Sequence, residues 1–185
     1  MDLVVNHTSD EHEWFKKALE DPESKYRDYY YFRKDNGSKN PPNNWNSFFA
    51  GPAWNYYEES DSWALHLFSK KQMDLNWENP EVREEVIKMV NWWLDKGVDG
   101  FRMDVINYIS KAESLPQGNE VIGQMMGYYG IEHYYYGPKL HQFLHEIHEK
   151  AFAPHDAFSV GETPGIGMKM CQLVTGEERK ELDMV

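Results

Sequence analysis

At 185 residues the chain is long enough for one domain with a sizeable core, and its 31 acidic against 19 basic side chains give a formal net charge of −12. That balance argues against nucleic acid or an anionic membrane as partner, since either would call for a basic patch. The single cysteine, Cys171, cannot form an internal disulfide, so a cytoplasmic setting is expected, and no run approaches the apolar length of a membrane span.

Met1–His7 reads as a short buried strand, because Leu3-Val4-Val5 is β-prone and Thr8-Ser9-Asp10 interrupts it. Thr8 and Glu11 have the spacing of a capping box, and Trp14, Phe15, Ala18 and Leu19 form an apolar stripe, which predicts a short helix. From Asp21 to about Pro52 the sequence turns to Asn, Pro, Gly, Lys and aromatic residues without a sustained period, as in a loop-rich insertion. Ser62–Phe68 alternates enough for a strand paired with another short one. The clearest helix opens at Asn79-Pro80-Glu81, with Asn79 as cap, Pro80 first, a buried stripe of Val82, Val86, Met89, Val90, Trp93 and Leu94, and Gly97 after its end. A strand follows over about Val98–Ile106, then a Gly- and Tyr-rich excursion, a second helix over Pro138–Phe152, and a strand over Ala157–Gly161. Strands alternating with helices imply an α/β fold with a parallel sheet and right-handed crossovers.

Two of these strands end in a carboxylate. In Gly100-Phe101-Arg102-Met103-Asp104, alternation turns Phe101 and Met103 to one side and Arg102 and Asp104 to the other. A guanidinium beside Asp104 favours the charged form that a nucleophile needs. Glu162 follows Ala157-Phe158-Ser159-Val160-Gly161, and its expected apolar surroundings would suit a proton donor. Taken alone, Asp104 reads first as a structural ion-pair partner of Arg102, as most carboxylates beside arginines are, and Glu162 can be read as the exposed acid of a helix start. Paired carboxylates at strand ends are, however, the minimum equipment for cleaving a glycosidic bond.

Four motifs in order carry a resemblance: Asp2-Leu3-Val4-Val5-Asn6-His7, Gln72-Met73-Asp74-Leu75-Asn76-Trp77, Gly100–Asp104 and Gly161-Glu162-Thr163. Together the chain resembles the α-amylase family of glycosidases, on the side of the oligo-1,6-glucosidases and dextran glucosidases. The resemblance implies a partial (β/α)8 TIM barrel: 1–7 as barrel strand three, 8–77 as a loop-rich inserted subdomain, and 78–185 as the segment with strands four and five. It implies Asp104 as nucleophile, Glu162 as acid and base, Arg102 as the group that keeps Asp104 ionised, and His7 as a hydrogen-bond partner of the sugar. Val105, directly after the nucleophile, implies a preference for α-1,6 bonds, with Phe49, Phe68 and Gln72 at the pocket entrance. Met73 stands where proline is usual, and Lys70-Lys71 is the one adjacent basic pair near that mouth. The family's third acid and its calcium-binding loop lie outside these residues, so no metal or other cofactor is expected here, and the isolated residues are expected to be inactive without the remainder of the barrel.

The implied function is that of a retaining, exo-acting α-glucosidase hydrolysing α-1,6-linked glucose from a small oligosaccharide substrate. Alternatives within the family are trehalose 6-phosphate hydrolysis and sucrose isomerisation; outside enzymes, the alternative is a non-catalytic barrel scaffold like the ectodomain of amino-acid-transporter heavy chains. His141, His145 and His148 share a helical face, but the spacing lacks one residue of a zinc-protease motif and reads as a solvated face. The runs Tyr29-Tyr30-Tyr31 and Tyr134-Tyr135-Tyr136 read as loop packing.

Overall fold

A computed structural model describes residues 1–185. Strand β1 (Asp2–Leu3) is shorter than expected, and after a turn through Val4, Val5 and Asn6 the chain opens a second strand, β2 (His7–Ser9). Helix α1 (Glu13–Glu20) therefore starts later than the Thr8 and Glu11 spacing predicts. Thr8 is held in β2, its hydroxyl 2.7 Å from that of Tyr30. The capping role falls instead to His12, whose Nδ1 accepts from the Trp14 amide at 3.1 Å. Phe15 and Ala18 bury fully, as the apolar stripe requires.

The inserted stretch is less loop-like than its composition suggests, because β3 (Phe32–Lys34), β4 (Trp54–Tyr57) and β5 (Ser62–Leu65) form an antiparallel sheet in the order β3-β5-β4. All four residues of β5, the central strand, are buried, so both of its faces are covered. β6 (Gln72–Asp74) then returns to pair with β2, setting His7 opposite Asp74 and Ser9 opposite Gln72. The insertion thus closes against the strand from which it left.

Helix α2 (Pro80–Leu94) forms as the sequence predicts, with Asn79 Oδ1 accepting from the Glu81 amide at 2.9 Å and Gly97 at φ +91° beyond its end. It leads into β7 (Gly100–Met103), followed by a short helix α3 (Glu120–Met126) and then α4 (Leu140–Ile147). A wider helical turn over His148–Phe152 joins α4 to α5 (Ala153–His155), before β8 (Phe158–Gly161) and α6 (Met168–Val174). β1, β7 and β8 are parallel, with Asp2 beside Arg102 and Met103 beside Gly161. Met184 makes a further parallel bridge to Val160, one strand position beyond those expected.

Two apolar clusters hold this arrangement. One lies between the parallel sheet and its helices and includes Val82, Val90, Phe101, Met103, Phe143, Ile147 and Phe152. The other is aromatic, joining the inserted sheet to the segment after β7 through Trp45, Trp54, Trp63, Tyr108 and Tyr134. Gly100 permits the close approach of β7 and β8, since a Cβ there would lie 2.2 Å from the Phe158 carbonyl oxygen. The histidine face of α4 is not simply solvated: His141 Nδ1 is 2.7 Å from Glu181 Oε2, and His145 Nδ1 is 3.0 Å from the Arg179 carbonyl, so the face docks the final segment. No helix is long and apolar enough to cross a membrane.

Candidate active site

Along β7 the alternation read from sequence is realised. Phe101 and Met103 are buried against the helices, while Arg102 and Asp104 are half-buried on the opposite face. The register brings the end of β8 alongside, so Asp104 and Glu162 each occupy the position just past paired residues of neighbouring strands. Backbone bonds fix both positions: the Asp104 amide donates to Leu3 O and the Glu162 amide to Met103 O, each at 2.9 Å.

One guanidinium joins the two carboxylates. Arg102 Nη1 is 2.9 Å from Asp104 Oδ1 and 3.5 Å from Asp2 Oδ1, while its Nη2 is 2.6 Å from Glu162 Oε1. Burial works against the arginine's charge, yet the hydrogen bond to Asp104 and the charges of Glu162 and Asp2 hold its ionisation above the usual range. Glu162 does not have the apolar surroundings expected of it. Its Oε1 meets Arg102 and its Oε2 accepts from the Val105 amide at 3.1 Å.

Val105 donates that bond from the left-handed region, at φ +38°. A β-branched residue rarely adopts this conformation, and strain of this kind collects where a site over-determines the backbone. Here it turns the amide after Asp104 towards Glu162. Val105 is 9% exposed and lines an aromatic cleft of about 460 Å³ with Phe48, Phe49, Phe68, Tyr108 and Tyr135. Phe49 is 67% exposed at the rim, with its ring 6.0 Å from that of Phe68. A larger groove of about 690 Å³ runs between α2 and the stretch from Val4 through β2; His7 is among its lining residues, but Asp104 and Glu162 are not.

His7 and Gln72 meet beside this cleft, with His7 Nε2 3.0 Å from Gln72 Nε2 and the imidazole 5.7 Å from the ring of Phe68. Burial pushes the imidazole pKa down, against the opposing pull of Asp74 and Asp104. Beneath His7 lies a buried polar network that the sequence did not disclose. Lys111 Nζ is 2.6 Å from Asp74 Oδ1, both side chains being 0% exposed, and Asp74 Oδ2 accepts from the Leu67 amide at 2.7 Å. Asn6 completes it, with Nδ2 3.3 Å from Asp74 Oδ1 and Oδ1 3.4 Å from Lys111 Nζ. Asn6 and Asp74 stood within the quoted motifs, whereas Lys111 carries no local signal of burial. All eight residues singled out from sequence thus lie around one mouth: Asp104, Glu162 and Arg102 at its floor, His7 and Gln72 at one side, Val105, Phe68 and Phe49 along the cleft.

Comparison with known proteins agrees with this architecture. The family pattern described as "Alpha amylase, catalytic domain" matches residues 1–185. The chain is 53% identical over 186 residues to an oligo-1,6-glucosidase of Bacillus cereus and 51% identical over 185 residues to one of Halalkalibacterium halodurans, covering 100% of this chain and 33% of either relative. It superposes on the crystal structure of Bacillus licheniformis trehalose-6-phosphate hydrolase with a TM-score of 0.93 at 44% identity, covering 100% of this chain and 32% of that one. The chain spans about a third of the length of the relatives it matches. It belongs to the α-amylase catalytic-domain family and carries a partial (β/α)8 barrel whose parallel strands are interrupted by an inserted subdomain.

Proposed function

We propose that these residues supply the nucleophile and the proton donor of a retaining, exo-acting α-glucosidase that releases glucose from short α-1,6-linked oligosaccharides. The observation that carries the reading is the single guanidinium of Arg102 touching both Asp104 and Glu162. Neighbouring strands lie roughly 4.8 Å apart, which suits the ~5–5.5 Å carboxyl separation of a retaining mechanism rather than the wider gap of an inverting one. Asp104 attacks the anomeric carbon, and the bond to the leaving oxygen breaks as Glu162 delivers a proton to it. Substrate entry exchanges the Arg102 contact of Glu162 for that leaving oxygen. Glu162 then takes a proton from water, which attacks the glycosyl ester and returns Asp104 to its carboxylate. Arg102 orients Asp104 throughout, and neutral His7 meets a hydroxyl of the bound sugar.

Preference for α-1,6 bonds is supported by Val105 beside the nucleophile and by the oligo-1,6-glucosidases among the relatives. Phe49, Phe68 and Gln72 shape the entrance. Trehalose 6-phosphate is less well served: Lys71 is 3.2 Å from Glu11 and 3.9 Å from Asp10, which engages one lysine of the basic pair that a phosphate would need. The chemistry asks for no cofactor from these residues, and the lone Cys171 supports a cytoplasmic setting. The remainder of the barrel, contributed by a polypeptide as long as the relatives, closes the site.

The test is an assay of the full-length polypeptide against isomaltose, maltose, sucrose and trehalose 6-phosphate, with the first anomer released followed by NMR. Isomaltose should yield α-glucose, and Asp104→Ala should abolish nearly all turnover, a loss on the order of 10⁴-fold or more. Absence of glucose release from isomaltose, or an Asp104→Ala variant with undiminished turnover, overturns the reading.

A further inference from the structure

The tyrosines of the excursion after β7 reach across to the loop that follows Glu162. Tyr135 donates its hydroxyl to the Pro164 carbonyl at 3.1 Å, and Tyr136 reaches the Thr163 carbonyl at 3.5 Å. Burial raises both phenol pKa values, so each hydroxyl keeps its proton at neutral pH and can donate. Thr163–Ile166 is a turn closed by the Ile166 amide on Thr163 O at 3.2 Å, with Pro164 second and Gly165 third at φ +73°. Proline followed by a glycine of positive φ makes this a type II turn. Types I and II differ by a flip of the central peptide, whose oxygen here is that of Pro164. Tyr135 thus bonds the one carbonyl whose direction separates the two turns. Its approach depends on the glycine, for a Cβ on Gly165 would lie 2.3 Å from the Tyr135 hydroxyl. The turn starts one residue after Glu162, and the ring of Tyr135 continues as a wall of the aromatic cleft.

We propose that Tyr135 is a positioning residue: its hydroxyl locks the Thr163–Ile166 turn in one peptide orientation and so aims the Glu162 carboxyl at the leaving oxygen. The inference rests on the reading of Glu162 as proton donor. Phenylalanine at 135 keeps the ring and removes only the lock, while alanine at 165 opposes the same turn from its other side.

The experiment compares two substrates of the full-length polypeptide, isomaltose and an aryl α-glucoside with a nitrophenolate leaving group. A nitrophenolate departs with little protonation, whereas the sugar oxygen of isomaltose requires it, so a misaimed acid penalises isomaltose selectively. Tyr135→Phe and Gly165→Ala should each lower kcat/KM on isomaltose by about 10-fold, while changing that on the aryl glucoside by less than about 3-fold, because kcat/KM reports the cleavage step alone, in which only the sugar leaving group needs the proton, and not the later hydrolysis of the ester that both substrates share. Glu162→Gln sets the scale and should show the same selectivity more strongly. If Glu162→Gln is not selective, the proton-donor assignment itself fails. If it is selective and Tyr135→Phe slows both substrates equally, or neither, the role of Tyr135 alone is overturned.

Discussion

Arg102 is the residue at which the two strand ends are electrically joined, and no other side chain can take its place without loss. Lysine offers a compact charge in place of a planar fork, so it can face Asp104 or Glu162 but not both in the observed geometry. Arg102→Lys is expected to lower kcat of the full-length polypeptide on isomaltose by about 10–100-fold while leaving the urea midpoint nearly unchanged, because the pair is partly exposed and contributes little to stability. Steady-state kinetics and a denaturation curve check both halves. Asp104 and Arg102 were legible in the sequence because a period of two fixes which side chains share a face. The second contact of Arg102, to Glu162, depends on strand register, which the sequence of β7 alone does not contain. Nor does anything in the sequence mark Val105 as left-handed, since valine is among the residues least suited to that region.

Among the elements, α2 was the most legible, because its cap, its first-turn proline and its trailing glycine are local devices and each works without tertiary help. The start of α1 was misread for the opposite reason: the Thr8 backbone is committed to β2, a pairing with residues far along the chain. β5 was only half legible, since a strand covered on both faces loses its alternation. Elements also meet through charge. The end of α5 is tied to the end of α2 where His155 Nε2 lies 3.0 Å from Asp95 Oδ1. The hydrogen bond to Asp95, then that to the Ala151 carbonyl, raises the His155 pKa above its ordinary value of 6.5. A raised histidine stabilises the fold fully below the ordinary value, and that contribution fades as pH climbs through the folded one. NMR titration should find His155 above 6.5, and Asp95→Asn should bring it down; a titration unmoved by Asp95→Asn would contradict the tie.

At the scale of the molecule, Lys111 fastens three parts at once. Its ammonium meets Asp74 on β6 and Asn6 beside β2, while the aliphatic stem belongs to the segment after β7. Burial lowers the lysine pKa, and Asp74 only partly restores it, so each charge depends on the other. Lys111→Met would leave Asp74 buried and unpaired, and is expected to cost about 3–5 kcal/mol, read as a lower urea midpoint. A variant as stable as the parent would show that the seam tolerates a lone carboxylate. From sequence this lysine is indistinguishable from a surface one, because which surfaces meet is a property of the assembled chain. The alternation of β1, α2, β7, α4 and β8 was legible, and so was their parallel sheet; the sheet within the insertion and its seam with the barrel were not.

Asp2, Asp104 and Glu162 converge on one cation, which leaves the floor of the mouth with surplus negative potential when all three are ionised. On the reading proposed above, a sugar whose ring gains positive character as its bond breaks, the oxocarbenium-like state of glycoside cleavage, would be favoured there over the neutral sugar. The same potential repels anionic groups brought close to it and attracts ring-nitrogen analogues once protonated. Within a Debye length of about 8 Å at physiological salt, mobile ions weaken that preference little.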